Sequence, residues 1–249
     1  MIELFGVSAG YGKKSVIQNI TLAFPKGKLT AVIGPNGSGK STLVKTVIGI
    51  VEHSLGKISI DGRDASTMIR QEVAKKVAYL AQGKEIPDMT VEQMVLHGRF
   101  PHLNYPRRYT DKDHEIAWYA MKKMGIEEFA GKAMYTLSGG MRQKAHVAMA
   151  LAQDTEYILL DEPTTYLDIS HQLELMETLR LLADSGKGIV AVMHDLPLTF
   201  HFADNIVVIK DGGIYAHGTP VEINDSGMIG EVFGVELAYT LTDYHFPFS

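Results

Sequence analysis

The sequence predicts an α/β fold: a mostly parallel sheet core, an N-terminal antiparallel β subdomain and an inserted helical subdomain. Three observations carry this. Short β-rich segments open the chain. A Gly-rich loop then joins an apolar run to a helical pattern. Beyond residue 154, buried-strand and helix patterns alternate, as they do when helices cover a parallel sheet.

Ile2–Phe5 and Ile17–Phe24 alternate as half-buried strands do. Leu29–Ile33 is continuously apolar, and helix formers follow from Lys40 to Ile50. Lys57–Ile60 runs into Asp61-Gly62, a hairpin-type turn signal, and Val77–Ala81 reads as a further strand ending at Gln82. From about Gly83 to Asp154 the texture becomes helical. Thr90 and Gln93 form a capping-box pair, and Ile116, Ala117, Ala120, Met121 and Met124 make an apolar stripe at helical spacing. The later elements are Tyr157–Leu160, Leu173–Leu182, Gly188–Met193 and Ile206–Ile209, with a last helix starting at Thr219-Pro220. The expected division is a single domain over 1–249, in which 1–82 and 155–249 build the core and 83–154 the helical insertion.

The 249 residues carry 24 Lys+Arg against 29 Asp+Glu, a net charge of −5. That balance argues against nucleic acid as the main partner, since phosphate backbones are held by Lys and Arg. There are no cysteines, so disulfides and thiolate zinc sites are excluded. No basic stretch followed by an apolar one opens the chain, and no apolar run approaches the roughly 20 residues of a membrane-spanning helix. Any membrane association is expected to come through a partner.

The chemistry-bearing motifs begin with Gly34-Pro35-Asn36-Gly37-Ser38-Gly39-Lys40-Ser41-Thr42. Small residues between a strand and a helix let successive backbone N–H groups and the helix N-terminus point at phosphate oxygens. Lys40 reaches the β- and γ-phosphates of a nucleotide, and the Ser41 hydroxyl can ligate Mg²⁺. Tyr157–Leu160 is a buried strand ending in Asp161-Glu162, and ligands bind at that edge of an open α/β sheet. There Asp161 is a metal candidate and Glu162 a general base for an attacking water. Leu137-Ser138-Gly139-Gly140-Met141-Arg142-Gln143 opens a helix, giving a second anion-binding N-terminus that Ser138 can cap.

In this order, the three motifs resemble those of ABC ATPases, and the resemblance covers essentially the whole chain. It implies a P-loop NTPase of the ABC cassette type that binds ATP with Mg²⁺ and hydrolyses it. Within the family pattern, Tyr11 matches the aromatic residue that stacks on adenine and Gln82 the glutamine that contacts Mg²⁺ and senses a permease. Asp168 matches the aspartate of the D-loop, and His194 the histidine that contacts the γ-phosphate. The family further implies a head-to-tail dimer, each ATP lying between one copy's P-loop and the other's Ser138-Gly139-Gly140. Met141, Lys144 and Thr165-Tyr166 depart from the usual family residues at that seam.

His97–His102, Asp168–Leu175, His194–Leu198, Gly218–Pro220 and Val232–Val235 resemble the importer ATPases that serve iron–siderophore, haem and cobalamin uptake. That implies a separate permease docked around residues 83–110, an indirect link to a substrate-binding protein, and a place on the cytoplasmic face of a membrane. A cluster-assembly ATPase and an importer of a different substrate, such as an oxyanion, are the alternatives. The cargo itself is not readable, because this subunit does not touch it.

Overall fold

The computed structural model describes residues 1–12, 14–81, 86–165 and 167–234. The expectations for Gln82, Tyr166 and Val235 lie outside the described residues. Strands β1 (Ile2–Tyr11) and β2 (Lys14–Phe24) pair antiparallel, and β3 (Leu29–Ile33) leads into the Gly-rich loop and helix α1 (Lys40–Val47). Then come β4 (His53–Ile60), β5 (Arg63–Asp64), α2 (Arg70–Lys76) and β6 (Val77–Leu80). The helical stretch supplies α3 (Val91–Leu96), α4 (Asp111–Lys123) and α5 (Gly139–Ala152). The chain closes with β7 (Tyr157–Asp161), α6 (Ile169–Asp184), β8 (Gly188–Val192), α7 (Leu196–Phe202), β9 (Asn205–Lys210), β10 (Gly213–Gly218), α8 (Pro220–Asp225) and α9 (Met228–Phe233).

Two sheets result. One is four-stranded in the order β2-β1-β4-β5, and its strands pair antiparallel. The other is six-stranded in the order β10-β9-β3-β8-β7-β6, parallel except for the edge pair β9–β10. The Asp61-Gly62 turn joins β4 to β5 with both residues at positive φ, 51° and 77°, the primed-turn geometry that matches strand twist.

Side-chain alternation on the parallel strands sorts the core into two layers. Leu29, Ala31 and Ile33 of β3 share one layer with Ile158 and Leu160, under α3 to α9. Val32, Val77, Tyr157, Leu159, Val190 and Val192 face the other way, toward Leu43, Val44 and Val47 of α1 and the inner face of the four-stranded sheet. Helix α1 therefore covers the same side of the sheet to which residues 157, 159 and 161 of β7 point. That shared side brings its first turn to the end of β7.

Several elements differ from their sequence-based bounds. β1 continues to Tyr11, and β2 starts at Lys14 rather than Ile17. α1 stops at Val47 rather than Ile50. α6 begins at Ile169, four residues before the apolar pattern does, because the Asp168 side chain accepts from His171 N–H and caps it. The expected capping box at Thr90/Gln93 is formed, and Thr219 and Glu222 form another at the start of α8. Among the described residues, no helix is long and apolar enough to cross a membrane.

Candidate nucleotide-binding site

The Gly34–Thr42 loop is pinned at Gly34 and Gly39, where the surroundings leave no room for a side chain. A Cβ on Gly34 would lie 2.0 Å from the Ile209 carbonyl oxygen, and its φ of +153° is one that glycine adopts freely. On the other side, a Cβ on Gly39 would lie 2.6 Å from Ile17 Cγ2. The β9–β10 turn braces the loop further, since Gly212 N–H donates to the Ser38 carbonyl at 3.2 Å. Pro35, Asn36 and Gly37 form the more open tip, while Ser38, Gly39, Lys40 and Thr42 are buried. No side chain caps the start of α1, so its first N–H groups are left for an anion.

Lys40 is only 5% exposed and donates to the carbonyls of Gly34 at 2.9 Å and Pro35 at 3.0 Å. Burial lowers its pKa, opposed by the nearby carboxylates of Glu162 and Asp161. Ser41 Oγ donates to Asp161 Oδ1 at 2.8 Å, and the Tyr79 hydroxyl donates to Oδ2 at 3.2 Å. Lys45 Nζ stands 4.0 Å from Oδ2. Burial, then the charge of Asp161, pushes the Tyr79 phenol well above its ordinary pKa, so it remains a donor.

Glu162, one residue past β7, has φ +55°. Non-glycine residues in that region store strain and concentrate at functional sites. The bend turns Glu162 Oε1 to 2.6 Å from His194 Nε2, while Thr165 Oγ1 donates to Oε2 at 3.3 Å. His194 follows β8, and Asp195 behind it caps α7 by accepting from Leu198 N–H at 2.8 Å. Lys40, Ser41, Asp161, Glu162 and His194 thus gather at the C-terminal edge of the parallel strands, where ligands of open α/β sheets sit.

Tyr11 ends β1 and is 56% exposed, next to the Val16–Ile17 segment that packs on Gly39. Ser138 caps α5 by accepting from Met141 N–H at 3.2 Å, and Gly139 and Gly140 add no side chains of their own to that helix start. Gly140 is linked to Asp168 through a residue that received no role from the sequence. His171 Nδ1 lies 2.7 Å from Asp168 Oδ1, and its ring covers Gly140 so closely that a Cβ there would be 2.9 Å from His171 Cδ2. Hydrogen bonds from the His171 backbone, Ser170 and the His171 ring hold the Asp168 carboxyl at about 2.

Tyr79 and His171 are the site residues that sequence reasoning passed over. A phenol on an otherwise apolar strand, and a histidine three residues after a capping aspartate, were the signals available for them. Of the residues departing from the family pattern, Lys144 pairs with Glu174 at 2.7 Å, tying α5 to α6. Thr165 touches Glu162 itself.

The donor set has a clear metal preference. Among the described residues there is no group of three or more His, Cys, Asp or Glu placed to hold an ion. One hydroxyl and one carboxylate, Ser41 and Asp161, suit Mg²⁺, which keeps water and takes most remaining ligands from substrate phosphates. The residues present therefore fit that ion.

A phosphate-cradling loop, a carboxylate–hydroxyl pair and a poised Glu–His pair on a parallel sheet define a P-loop nucleotide hydrolase. Residues 17–165 match the family model described as ABC transporter. The chain is 41% identical over 237 residues to the petrobactin import ATP-binding protein of Bacillus anthracis, covering 94% of this chain and 87% of that protein. It is also 41% identical over 231 residues to the ferric enterobactin transport ATP-binding protein of Escherichia coli, covering 92% and 85%. The dimeric, post-hydrolysis structure of an ATP-binding cassette bound to ADP and Pi superposes with a TM-score of 0.76 at 26% identity, covering 88% of this chain and 99% of that one. The chain belongs to the ABC transporter family and is its ATP-binding, ATP-hydrolysing component.

Proposed function

We propose that this chain powers an importer of iron chelates of the siderophore class, acting through a separate permease on the cytoplasmic face of a membrane. Two relatives of equal identity are named for different siderophores, so the similarity supports the class rather than one cargo. It favours siderophores over the haem and cobalamin branches of the same resemblance.

The observation that carries the catalytic reading is the Glu162–His194 pair beside Lys40 and Asp161. Glu162 takes a proton from a water attacking the γ-phosphorus. The new P–O bond forms as the bridge to the β-phosphate breaks and ADP departs. Lys40 exchanges its two loop carbonyls for phosphate oxygens, and the backbone N–H groups of Gly34–Thr42 share the developing charge. His194 holds Glu162 in its strained position and offers Nε2 toward the γ-phosphate. Ser41 and Asp161, with Gln82 by family resemblance, would hold Mg²⁺, whose charge neutralises the β- and γ-oxygens. Tyr11 supplies a planar face for adenine.

The trans half of the site comes from a second copy, whose Ser138-Gly139-Gly140 presents the start of α5, and Asp168 lies at the same seam. A dimeric relative bound to ADP and Pi supports this arrangement. Residues 1–82 and 155–249 act as the nucleotide-binding core and 83–154 as the helical unit that carries Ser138-Gly139-Gly140. His97–Arg108 receives the permease, and a substrate-binding protein is engaged only through it.

Turnover in Mg²⁺ should fall at least about 100-fold in Glu162→Gln, the scale of a lost general base, with ATP binding retained and an ATP-bound dimer accumulating. Lys40→Ala should lose ATP binding. Wild-type turnover in Glu162→Gln would remove the general-base role. Tagged chain recovered from native membranes should bring a polytopic permease; recovery with soluble assembly proteins alone would support the cluster-assembly alternative.

A further inference from the structure

We infer that Tyr79 is a positioning residue for Asp161, fixing the carboxylate that receives Mg²⁺. The inference rests on the ATP-and-Mg²⁺ reading above and goes beyond it, since no motif assigns Tyr79 a role.

The placement follows from strand register. In the parallel pair β6–β7, Tyr79 lies opposite Leu159. Side chains alternate along a strand, so Tyr79, Leu159 and Asp161 all point to the α1 side of the sheet. Tyr79 packs there against the cluster that contains Val77, Leu159 and Leu43. From this fixed base a phenol is long enough to reach past Leu159 to the end of β7, where its hydroxyl donates to Asp161 Oδ2 at 3.2 Å. A phenylalanine, leucine or valine would fill the same space without the reach.

The two oxygens of Asp161 then have separate partners. Oδ1 accepts from Ser41 at 2.8 Å, and Oδ2 accepts from Tyr79, with Lys45 more distant at 4.0 Å. When Ser41 turns its oxygen to a metal ion, the Oδ1 hydrogen bond is given up. Tyr79 is then the neutral donor that still holds the carboxylate plane. Lys45, a flexible cation one-third exposed, would instead draw the carboxylate toward itself. Holding a ligand through an outer hydrogen bond is a general device of metal sites, where loss of the partner weakens metal binding by tenfold or more.

Tyr79 also lines a surface groove together with Val73, His97, Phe100 and Pro101. One residue therefore extends from that groove to the metal-binding carboxylate, three positions before Gln82.

The test is Tyr79→Phe in a Glu162→Gln background, which stops turnover so that ATP affinity can be titrated calorimetrically. Affinity in EDTA should match the parent within about twofold, and the melting temperature should be unchanged. The Mg²⁺ concentration for half-maximal tightening of ATP binding should rise about tenfold or more, the scale of one hydrogen bond to a charged group. Unchanged or tighter Mg²⁺ dependence would overturn the inference. So would a loss of EDTA affinity and melting temperature in parallel, which would make Tyr79 a packing residue only. If the parent itself bound no ATP or showed no Mg²⁺ effect, the ATP reading would fall and this inference with it.

Discussion

Gly140 carries no side chain in a place where His171 leaves no room for one. The His171 ring is fixed from behind by Asp168 at 2.7 Å, so it cannot easily retreat from a methyl group placed 2.9 Å away. Alanine is a better helix former than glycine by about 1 kcal/mol, so Gly140→Ala on an open helix start would stabilise. Here the clash opposes that gain. We expect Gly140→Ala to lower stability by about 1 kcal/mol and His171→Ala to restore it in the double variant, a coupling of the size found for touching residues. Urea unfolding of the four proteins of the cycle measures this, and strict additivity would show that the ring moves aside freely. The sequence exposed the Gly-Gly pair and Asp168 but not His171, because only the approach of α6 to α5 puts the ring over the glycine.

At the scale of elements, the start of α4 and the segment before it are joined by a buried ion pair. Arg99 Nε donates to Asp113 Oδ1 at 3.0 Å, and Arg99 Nη1 to the Ala152 carbonyl at 2.9 Å, which ties the end of α5 into the same knot. Both side chains are less than 10% exposed. Burial raises the Asp113 carboxyl, but hydrogen bonds from Thr110 and the Arg99 guanidinium outweigh it and hold it at about 2. Deleting one member strands the other, which costs about 3–5 kcal/mol, so Asp113→Ala should melt on the order of 10 °C lower. The pH dependence has a definite sign. A carboxyl at about 2 when folded and about 4 when unfolded stabilises fully above the unfolded value. That contribution is lost as pH falls through the folded one. The gap between wild type and Asp113→Ala should therefore be constant at neutral pH and shrink between about pH 4 and pH 2. Thr110 and Asp113 lie within one turn of each other, but their partner Arg99 reaches Asp113 only because the 3-10 turn His97–His102 packs beside α4.

Across the whole molecule, Asp61 is where the two sheets meet electrostatically. It follows β4 in the turn to β5 and takes hydrogen bonds or ion pairs from the Met1 amino group, Lys26, Lys76 and the Tyr157 hydroxyl, while both lysines also pair with Glu156. Burial opposes ionisation, yet these donors hold the carboxyl far below the usual carboxylate range. Because its lysine partners are 38% exposed, solvent and salt screen much of the gain. Asp61→Asn should thus cost only about 1 kcal/mol at pH 7, and the difference should shrink in 1 M salt. Urea midpoints at both ionic strengths test it. A loss above about 3 kcal/mol would mean that the network behaves as buried rather than screened.

Local chemistry and periodicity were enough to read the α/β class, the Gly-rich loop at Gly34–Thr42, the strand ending in Asp161-Glu162, the capped start of α5 at Ser138 and the Leu173–Leu182 body of α6, though not its start after Asp168. Each is written in consecutive residues, where backbone propensity, alternation and capping act over a few positions. The structure alone decided which distant residues meet: Tyr79 with Asp161, His171 with Gly140, Arg99 with Asp113, and Glu162 with His194 at hydrogen-bond distance. Those contacts depend on strand order and helix approach, β6 beside β7 and α6 across α5. Packing of the two sheet faces sets both, and no local stretch of sequence carries that information.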